Sequence, residues 1–354
     1  MEFIPAEHQH RRLNPLNGKW ILVCPHRMLR PWSGQQELSQ SLDNIPEFDA
    51  NNPLCPGVVR PNGVKNPDYK NTFVFTNDYP ALLENVPEPH TSDDPLFQAS
   101  SAAGICRVMC FHGKSNLTLS LISTEEIELI VNEWINQFND LSLKYSWVQI
   151  FENKGSAMGC SNSHPHCQIW ACSFLPTEPF IKDAFLKKYF QKYQRPLLND
   201  YITKELEKKE RIVIENADWL VVVPYWAAWP FETMLLSRNN NKRLNDLTER
   251  QKKSLAHTIK QLTIKYDNLF ECSFPYSMGF HGAPTGEMSK LDNMHWTLHA
   301  SYYPPLLRSA TVRKFMVGFE LFGEIQRDLT AEQAAKRLKE VSGEVHYSKN
   351  IKRL

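Results

Sequence analysis

The order of segments along this 354-residue chain predicts an α+β fold made by duplication, with antiparallel sheets backed by helices. Two observations carry that expectation. Each half runs strand, strand, helix, strand, loop and a closing strand that bears histidines. Each helix opens on a capping box, Ser123 with Glu126 and Thr248 with Gln251.

In the first half, Thr72–Leu82 is an apolar, strand-like segment. A loop rich in Pro and Asp over 85–95 separates it from a second strand, Cys106–His112. Ile127, Ile130, Trp134, Phe138 and Leu141 then recur at three- and four-residue spacing, which predicts a helix to about Tyr145 with a core-facing stripe. Trp147–Glu152 is the next strand, the loop Asn153–Ser163 holds Gly155 and Gly159, and the closing strand covers 164–172. The second half repeats the order with Trp219–Pro224, Glu232–Ser237, a helix carrying Leu255, Ile259 and Leu262, then Tyr276–His281 and His295–Tyr303. The repeats divide as 1–195 and 196–354, with a Glu- and Lys-rich helical stretch at 201–211 joining them.

Composition narrows the ligand class. Forty basic against 39 acidic residues, interleaved along the chain, leave no electrostatic footprint for nucleic acid or an anionic membrane, so the expected ligand is small. Eight scattered cysteines without a CxxC pair predict reduced thiols and a cytoplasmic protein. The N-terminus lacks a basic stretch followed by an apolar one, so no secretory signal is expected. The most apolar run, Trp219–Phe231, is broken by Pro224 and Pro230 and falls short of the roughly 20 residues that cross a bilayer.

The chemistry concentrates at His164-Pro165-His166-Cys167-Gln168. On one strand, positions i, i+2 and i+4 share a face, so two imidazoles and a carboxamide are expected to converge on one point, which suits a phosphoryl group. A neutral imidazole is a nucleophile without further activation, and its attack on phosphorus gives a phosphoramidate that a second phosphate can reopen. A lone histidine is more often a hydrogen-bonded core residue. Three stacked polar positions after a Gly-containing loop favour function.

These residues, with Arg11–Asn17, His26–Trp32, Phe75–Tyr79, Phe151–Gly155, Pro224–Pro230, Tyr276–Gly279 and Leu307–Met316, make the chain resemble the animal-type galactose-1-phosphate uridylyltransferases of the histidine-triad superfamily over nearly its whole length. The resemblance implies a duplicated histidine-triad-like fold and a cytoplasmic homodimer that works by a ping-pong route. UDP-glucose would give its uridylyl group to a histidine, and galactose 1-phosphate would take it, yielding UDP-galactose in the Leloir pathway. It makes His166 the nucleophile and Gln168 the carboxamide at the transferring phosphoryl group. A neutral Gln donates a hydrogen bond without titrating, which favours a transferase over a hydrolase.

The same resemblance places Arg27 and Arg30 near the sugar nucleotide's phosphates, as suits planar guanidinium groups. Asn77 and Asp78 fall at the uridine end, Pro61 at a nucleotide contact made through shape and backbone, Asn153 on the loop and Ser161 near the α-phosphate. Lys314, Phe315, Phe319, Glu320 and Gln326 match positions that dimers of the family contribute to the neighbouring subunit's nucleotide site. An amphipathic strand with polar residues outward describes the alternation of Val312, Lys314 and Met316 equally well.

The metal positions depart from the family's pattern. Its structural zinc site uses two cysteines, a downstream histidine and the first histidine of the triad strand; here those positions read Asn52, Cys55, Ser115 and His164. His112 is the nearest substitute ligand in sequence. The second site uses one glutamate and three histidines, and here His281 and His299 stand with Lys182 and Ser301. Lysine repels a divalent cation, so the expectation is an empty or rebuilt site, with Glu178 or Asp183 as surrogates and Zn or Fe in doubt at both. No organic cofactor is implied. Ser163 stands where the family has proline. Two other readings share these residues: a nucleotidyl phosphorylase acting on a diadenosine polyphosphate or an ADP-sugar, and a non-catalytic nucleotide-binding module.

Overall fold

The computed structural model describes residues 2–29, 45–90 and 92–351, so Arg30 and Trp32 lie outside the described residues. Nine strands form one sheet: β3 (Phe73–Thr76), β4 (Gly104–Cys110), β5 (Trp147–Lys154), β6 (His166–Cys172), β7 (Ile212–Glu215), β8 (Trp219–Val222), β9 (Thr233–Ser237), β10 (Tyr276–His281) and β11 (His299–Tyr303). Their spatial order is β3-β4-β6-β5-β10-β11-β9-β8-β7, and every pairing is antiparallel. Leaving β7 aside, the order is a palindrome about β5 and β10. The duplication predicted from segment order is therefore visible as symmetry, and the halves share a single continuous sheet through the pairs Ser277↔Asn153 and Gly279↔Phe151.

A second, three-stranded sheet was not foreseen. Strands β1 (His10–Leu13) and β2 (Trp20–Val23) are antiparallel, but β12 (Ile325–Arg327) joins β2 in parallel. This pairing ties the end of the chain to its beginning. A three-residue strand paired so far away in sequence leaves no local pattern to read.

Helix α1 (Thr124–Ser142) begins on the Ser123–Glu126 capping box and α4 (Glu249–Phe270) on the Thr248–Gln251 box, both with reciprocal side-chain bonds. Their predicted stripes are core: Ile127, Ile130, Trp134, Leu255, Ile259 and Leu262 are fully buried. They pack on the sheet face that carries Cys167, Ile169 and Ala171 of β6. The indole Nε1 of Trp134 donates to Cys167 Sγ at 3.3 Å, fixing α1 directly behind the functional strand. Helices α2 (Thr177–Tyr193) and α3 (Leu197–Lys208) cover the opposite face, where Leu186 and Leu198 pack with Leu220, Val222, Met234 and Leu236. That cover lies mainly over the second half; it also takes in Trp147 of β5 and Cys172 at the end of β6, while His166, Gln168 and Trp170 on the same face stay half-buried.

Candidate active site

Strand β6 begins at His166, so His164 precedes it rather than sharing its face. Alternation holds from there: His166, Gln168 and Trp170 are half-buried on one face, and Cys167, Ile169 and Ala171 are buried on the other. His164 is 1% exposed, and its ring is bonded into a polar cluster with Tyr69 and Ser115 at the edge of the cleft. The expected convergence of three polar groups is therefore a pair, His166 with Gln168.

The imidazole of His166 is set by its own chain. Nδ1 lies 2.7 Å from the carbonyl oxygen of His164, and a carbonyl only accepts, so Nδ1 carries the proton and Nε2 is left bare. Burial holds the ring below the ordinary imidazole pKa, partly opposed by that carbonyl bond. The ring is thus neutral and nucleophilic at physiological pH. Gln168 is fixed in the same manner: its Oε1 accepts from Trp170 Nε1 at 3.0 Å, which turns the amide NH₂ outward as a donor.

His166 lines a cleft of about 440 Å³ together with Asn153, Lys154, Ser161, Asn162, His164 and Glu152. The loop over it turns sharply between Gly155 (φ 84°) and Gly159 (φ 77°), a left-handed backbone that favours glycine at both places. Asn153 Oδ1 accepts from Ser277 Oγ across the β5–β10 junction at 2.6 Å, so its NH₂ also remains available.

Two cleft residues were missed in the sequence. Glu152 and Lys154 sit at inward-facing positions of β5, and charge on the core side of an alternating strand was the available signal. Lys154 Nζ meets Asp267 Oδ1 at 2.8 Å; Asp267 also accepts from Phe274 N at 2.8 Å, from Ser120 Oγ, and from His346 Nε2 at 3.2 Å. Burial raises the Glu152 carboxyl to about 7, although Tyr276 OH donates to it at 2.9 Å.

The remaining predicted residues gather elsewhere. Asp78 is held by Arg60 at 2.5 Å and Asn62 at 2.8 Å, beside Asn77 and Pro61, and Arg60 stacks over Phe75 at 4.1 Å. Arg60 was not anticipated. Arg27 is exposed in the short turn Pro25–Leu29, with its carbonyl 3.3 Å from Arg308 Nη2. Lys314 is paired with Glu320, whose other oxygen accepts from Gln326 N at 3.1 Å, while Phe315 and Phe319 are 56% and 62% exposed. None of these groups lines the His166 cleft.

The donor sets do not suit a metal at either expected position. At the first, Tyr69 OH donates to Leu54 O and so accepts from His164 Nε2 at 2.8 Å. That leaves His164 Nδ1 to accept from Ser115 Oγ at 2.8 Å, and Ser115 in turn to accept from Cys55 Sγ at 3.1 Å. Every lone pair that zinc would need is already used. Asn52 forms a reciprocal amide pair with Asn162, at 2.8 and 2.9 Å. His112 does not replace the missing ligand: its Nε2 is 3.3 Å from Glu126. Burial, then the neighbouring His166, bring His164 down to about 4.

At the second position, Lys182 Nζ lies 3.1 Å from His281 Nδ1 and 2.9 Å from His299 Nε2. The surrogate carboxylates are engaged elsewhere, Asp183 with His295 and Trp296 at 2.7 and 2.6 Å and Glu178 with Lys19 at 3.7 Å. Among the described residues no three His, Cys, Asp or Glu side chains gather as a group that could hold a metal ion, and Cys55, His164, His281 and His299 are bonded as just described.

The duplicated sheet has counterparts among solved structures. A uridylyltransferase structure superimposes with a TM-score of 0.73 at 24% identity, covering 94% of this chain and 97% of that one. An ADP-glucose phosphorylase from Arabidopsis thaliana with bound ADP-glucose gives 0.75 at 20%, covering 95% and 99%. At such identities the likeness carries the fold alone. Sequence goes further: residues 1–176 match the galactose-1-phosphate uridyl transferase N-terminal domain and residues 182–351 its C-terminal domain. The chain belongs to the galactose-1-phosphate uridylyltransferase family. It is 68% identical over 348 residues to a probable galactose-1-phosphate uridylyltransferase of Drosophila melanogaster, covering 98% of this chain and 99% of that one. The galactose-1-phosphate uridylyltransferases of Haemophilus influenzae and Rattus norvegicus are 56% and 54% identical, covering 99% and 98% of this chain and 99% and 90% of theirs.

Proposed function

We propose that this chain exchanges a uridylyl group between UDP-glucose and galactose 1-phosphate by a ping-pong route through His166. The observation that carries the reading is the His166 Nδ1 bond to the His164 carbonyl, which leaves Nε2 as the only basic ring nitrogen. Nε2 attacks the α-phosphorus of UDP-glucose, the bond to the bridging oxygen breaks, and glucose 1-phosphate departs. The ring becomes cationic at that moment. Its Nδ1–H already faces a carbonyl dipole, which stabilises that charge without reorganisation. Gln168 NH₂ donates to a non-bridging oxygen in both half-reactions. A phosphate oxygen of galactose 1-phosphate then attacks phosphorus, the N–P bond breaks, and UDP-galactose forms while Nε2 recovers its lone pair.

The nucleotide end belongs to Asn77, Asp78, Pro61 and the arginines Arg27 and Arg30, with Asn153 and Ser161 nearer the phosphates. A homodimer suits the exposed apolar run Phe315, Val317, Phe319, Leu321 and Phe322, which no described segment of its own chain covers; Lys314, Glu320 and Gln326 beside it would reach a partner's nucleotide. No described helix is long and apolar enough to cross a membrane, and eight free cysteines accord with a cytoplasmic setting.

The test is incubation with UDP-glucose labelled in the α-phosphate. Acid-labile label on the native protein, stoichiometric release of glucose 1-phosphate and no label on His166→Ala are the expected results. Labelling from ADP-glucose in place of UDP-glucose would assign a phosphorylase instead, and binding without label would reduce the protein to a nucleotide-binding module.

A further inference from the structure

Both halves of the sheet present histidines on the same face, yet the two sites are finished differently. His166 of β6 opens on the cleft. His299, on the symmetry-equivalent strand β11, is fully buried beneath α2, with His281 of β10 stacked on it at 5.4 Å between ring centroids. His299 Nδ1 donates to Thr297 O at 2.8 Å, so Nε2 is its bare nitrogen, the arrangement by which metal-ligating histidines are ordinarily held. That bare nitrogen, and Nδ1 of His281, both point at Lys182 Nζ.

The chemistry of the position excludes a second occupant. Two neutral imidazoles and the buried Ser301 hydroxyl offer no anion to a divalent ion. Asp183 is turned to His295 and Trp296, and Glu178 stands out in solvent. Nor can the lysine swing aside easily, because Leu186, one turn further along α2, is fully buried in the adjoining core. A lysine head brings hydrogen-bond donors to both ring nitrogens, which satisfies them as a metal would and ties α2 to β10 and β11 at once.

We infer that Lys182 is a tethered occupant of the second metal position, so that the clamp of α2 on β10 and β11 is supplied by the chain itself and needs no metal. The consequence reaches the active site through the sheet. β10 pairs with β5 at Ser277↔Asn153, and Asn153 lines the cleft, so a clamp on β10 also holds Asn153 in place. Lys182 is in this sense a positioning residue and touches no substrate.

The experiment uses the full-length protein. Metal content is measured by elemental analysis before and after exhaustive chelation, thermal melts are recorded for both forms, and Co²⁺ binding is followed by the visible absorption of tetrahedral cobalt. The native protein is expected to hold well under one equivalent of Zn or Fe and to melt at an unchanged temperature after chelation. Lys182→Met, which leaves both imidazole lone pairs without a donor, is expected to melt lower, with KM for the sugar nucleotide raised more than kcat falls. Lys182→Glu is expected to bind Co²⁺ at least about tenfold more tightly than the native protein. A native protein that carries about one metal per subunit and melts lower once stripped would overturn the inference. So would equal Co²⁺ affinity in the native and Lys182→Glu proteins, or a Lys182→Met protein that melts like the native one. Should Lys182→Met fail to fold, the metal content and melts of the native protein still decide.

Discussion

Replacing Trp170 with phenylalanine isolates one hydrogen bond that never touches substrate. The indole donates to Gln168 Oε1 at 3.0 Å, and its ring meets Phe151 edge to face at 5.6 Å. Phenylalanine keeps much of the apolar contact and removes only the N–H. Without that donor the carboxamide can turn over and present its oxygen to a negatively charged phosphoryl group. The bond contributes about 1 kcal/mol net, so the freed amide should slow uridylylation about fivefold. On the proposed mechanism the effect belongs in kcat, because the bond orients the donor that would meet the transferring phosphoryl group and leaves contacts to uridine untouched. Single-turnover quench-flow with UDP-glucose labelled in the α-phosphate reads this rate directly, and thermal melts control for folding. Gln168→Ala provides the ceiling, since deleting an oxyanion donor outright costs on the order of a hundredfold or more. A Trp170→Phe rate equal to that of the native protein, with Gln168→Ala crippled, would show that Gln168 is oriented by something other than the indole.

The buried Lys154–Asp267 pair yields a stability prediction: Asp267→Asn strands an ammonium beside the cleft and should cost about 3–5 kcal/mol in urea unfolding, and a loss under 1 kcal/mol would be inconsistent with a sealed pair. Burial works to raise the Asp267 carboxyl, but Lys154, His346 and Ser120 outweigh it and hold its pKa below the ordinary value. A depressed folded pKa means stability that is complete above the unfolded value near 3.9 and is lost as pH falls through the folded one; unfolding free energy should therefore drop more steeply with acid below about pH 5 in the native protein than in Asp267→Asn. Ser115→Ala breaks the chain from Cys55 to His164 and should destabilise by about 1–3 kcal/mol, with zinc unable to restore the melt. Phe319→Asp, on the exposed apolar run, should convert the proposed dimer to monomers in sedimentation and abolish transfer; undiminished transfer by a monomer would remove the shared-site reading.

Much of this architecture could be read from short-range pattern. The α1 and α4 stripes and both capping boxes are local signals, and local signals survive folding. The segment order disclosed the duplication, because a repeat needs no geometry to be recognised. What escaped was long-range pairing. β12 reaches β2 across some three hundred residues, and α2 places Lys182 against strands a hundred residues downstream. Spacing alone suggests His164 as a strand residue; the chain enters β6 two residues later, and the side chain turns into the Tyr69–Ser115 cluster instead. The lysine at a ligand position was legible as hostile to a metal, but its bonds to both imidazoles were not, since they depend on where a helix docks.

The two histidine strands show how duplication separates chemistry from scaffolding. In both, a backbone carbonyl two residues upstream accepts from Nδ1 and so keeps the ring proton there, His164 O for His166 and Thr297 O for His299, so both present a bare Nε2 on the same face. The covering element decides what that nitrogen does. Over His166, among the described residues, lies a glycine-hinged loop, and the ring lines a cleft large enough for a nucleotide phosphate. Over β11 lies α2, whose Lys182 caps the lone pair with a donor. An uncapped lone pair in a desolvated pocket is reactive, whereas a capped one is a structural acceptor. On the proposed mechanism, the reactivity of His166 therefore follows as much from what α2 leaves uncovered as from the His-Pro-His-Cys-Gln sequence. A substitution that let α2 or its neighbours spread over β6 would silence the nucleophile without altering a single residue of the motif.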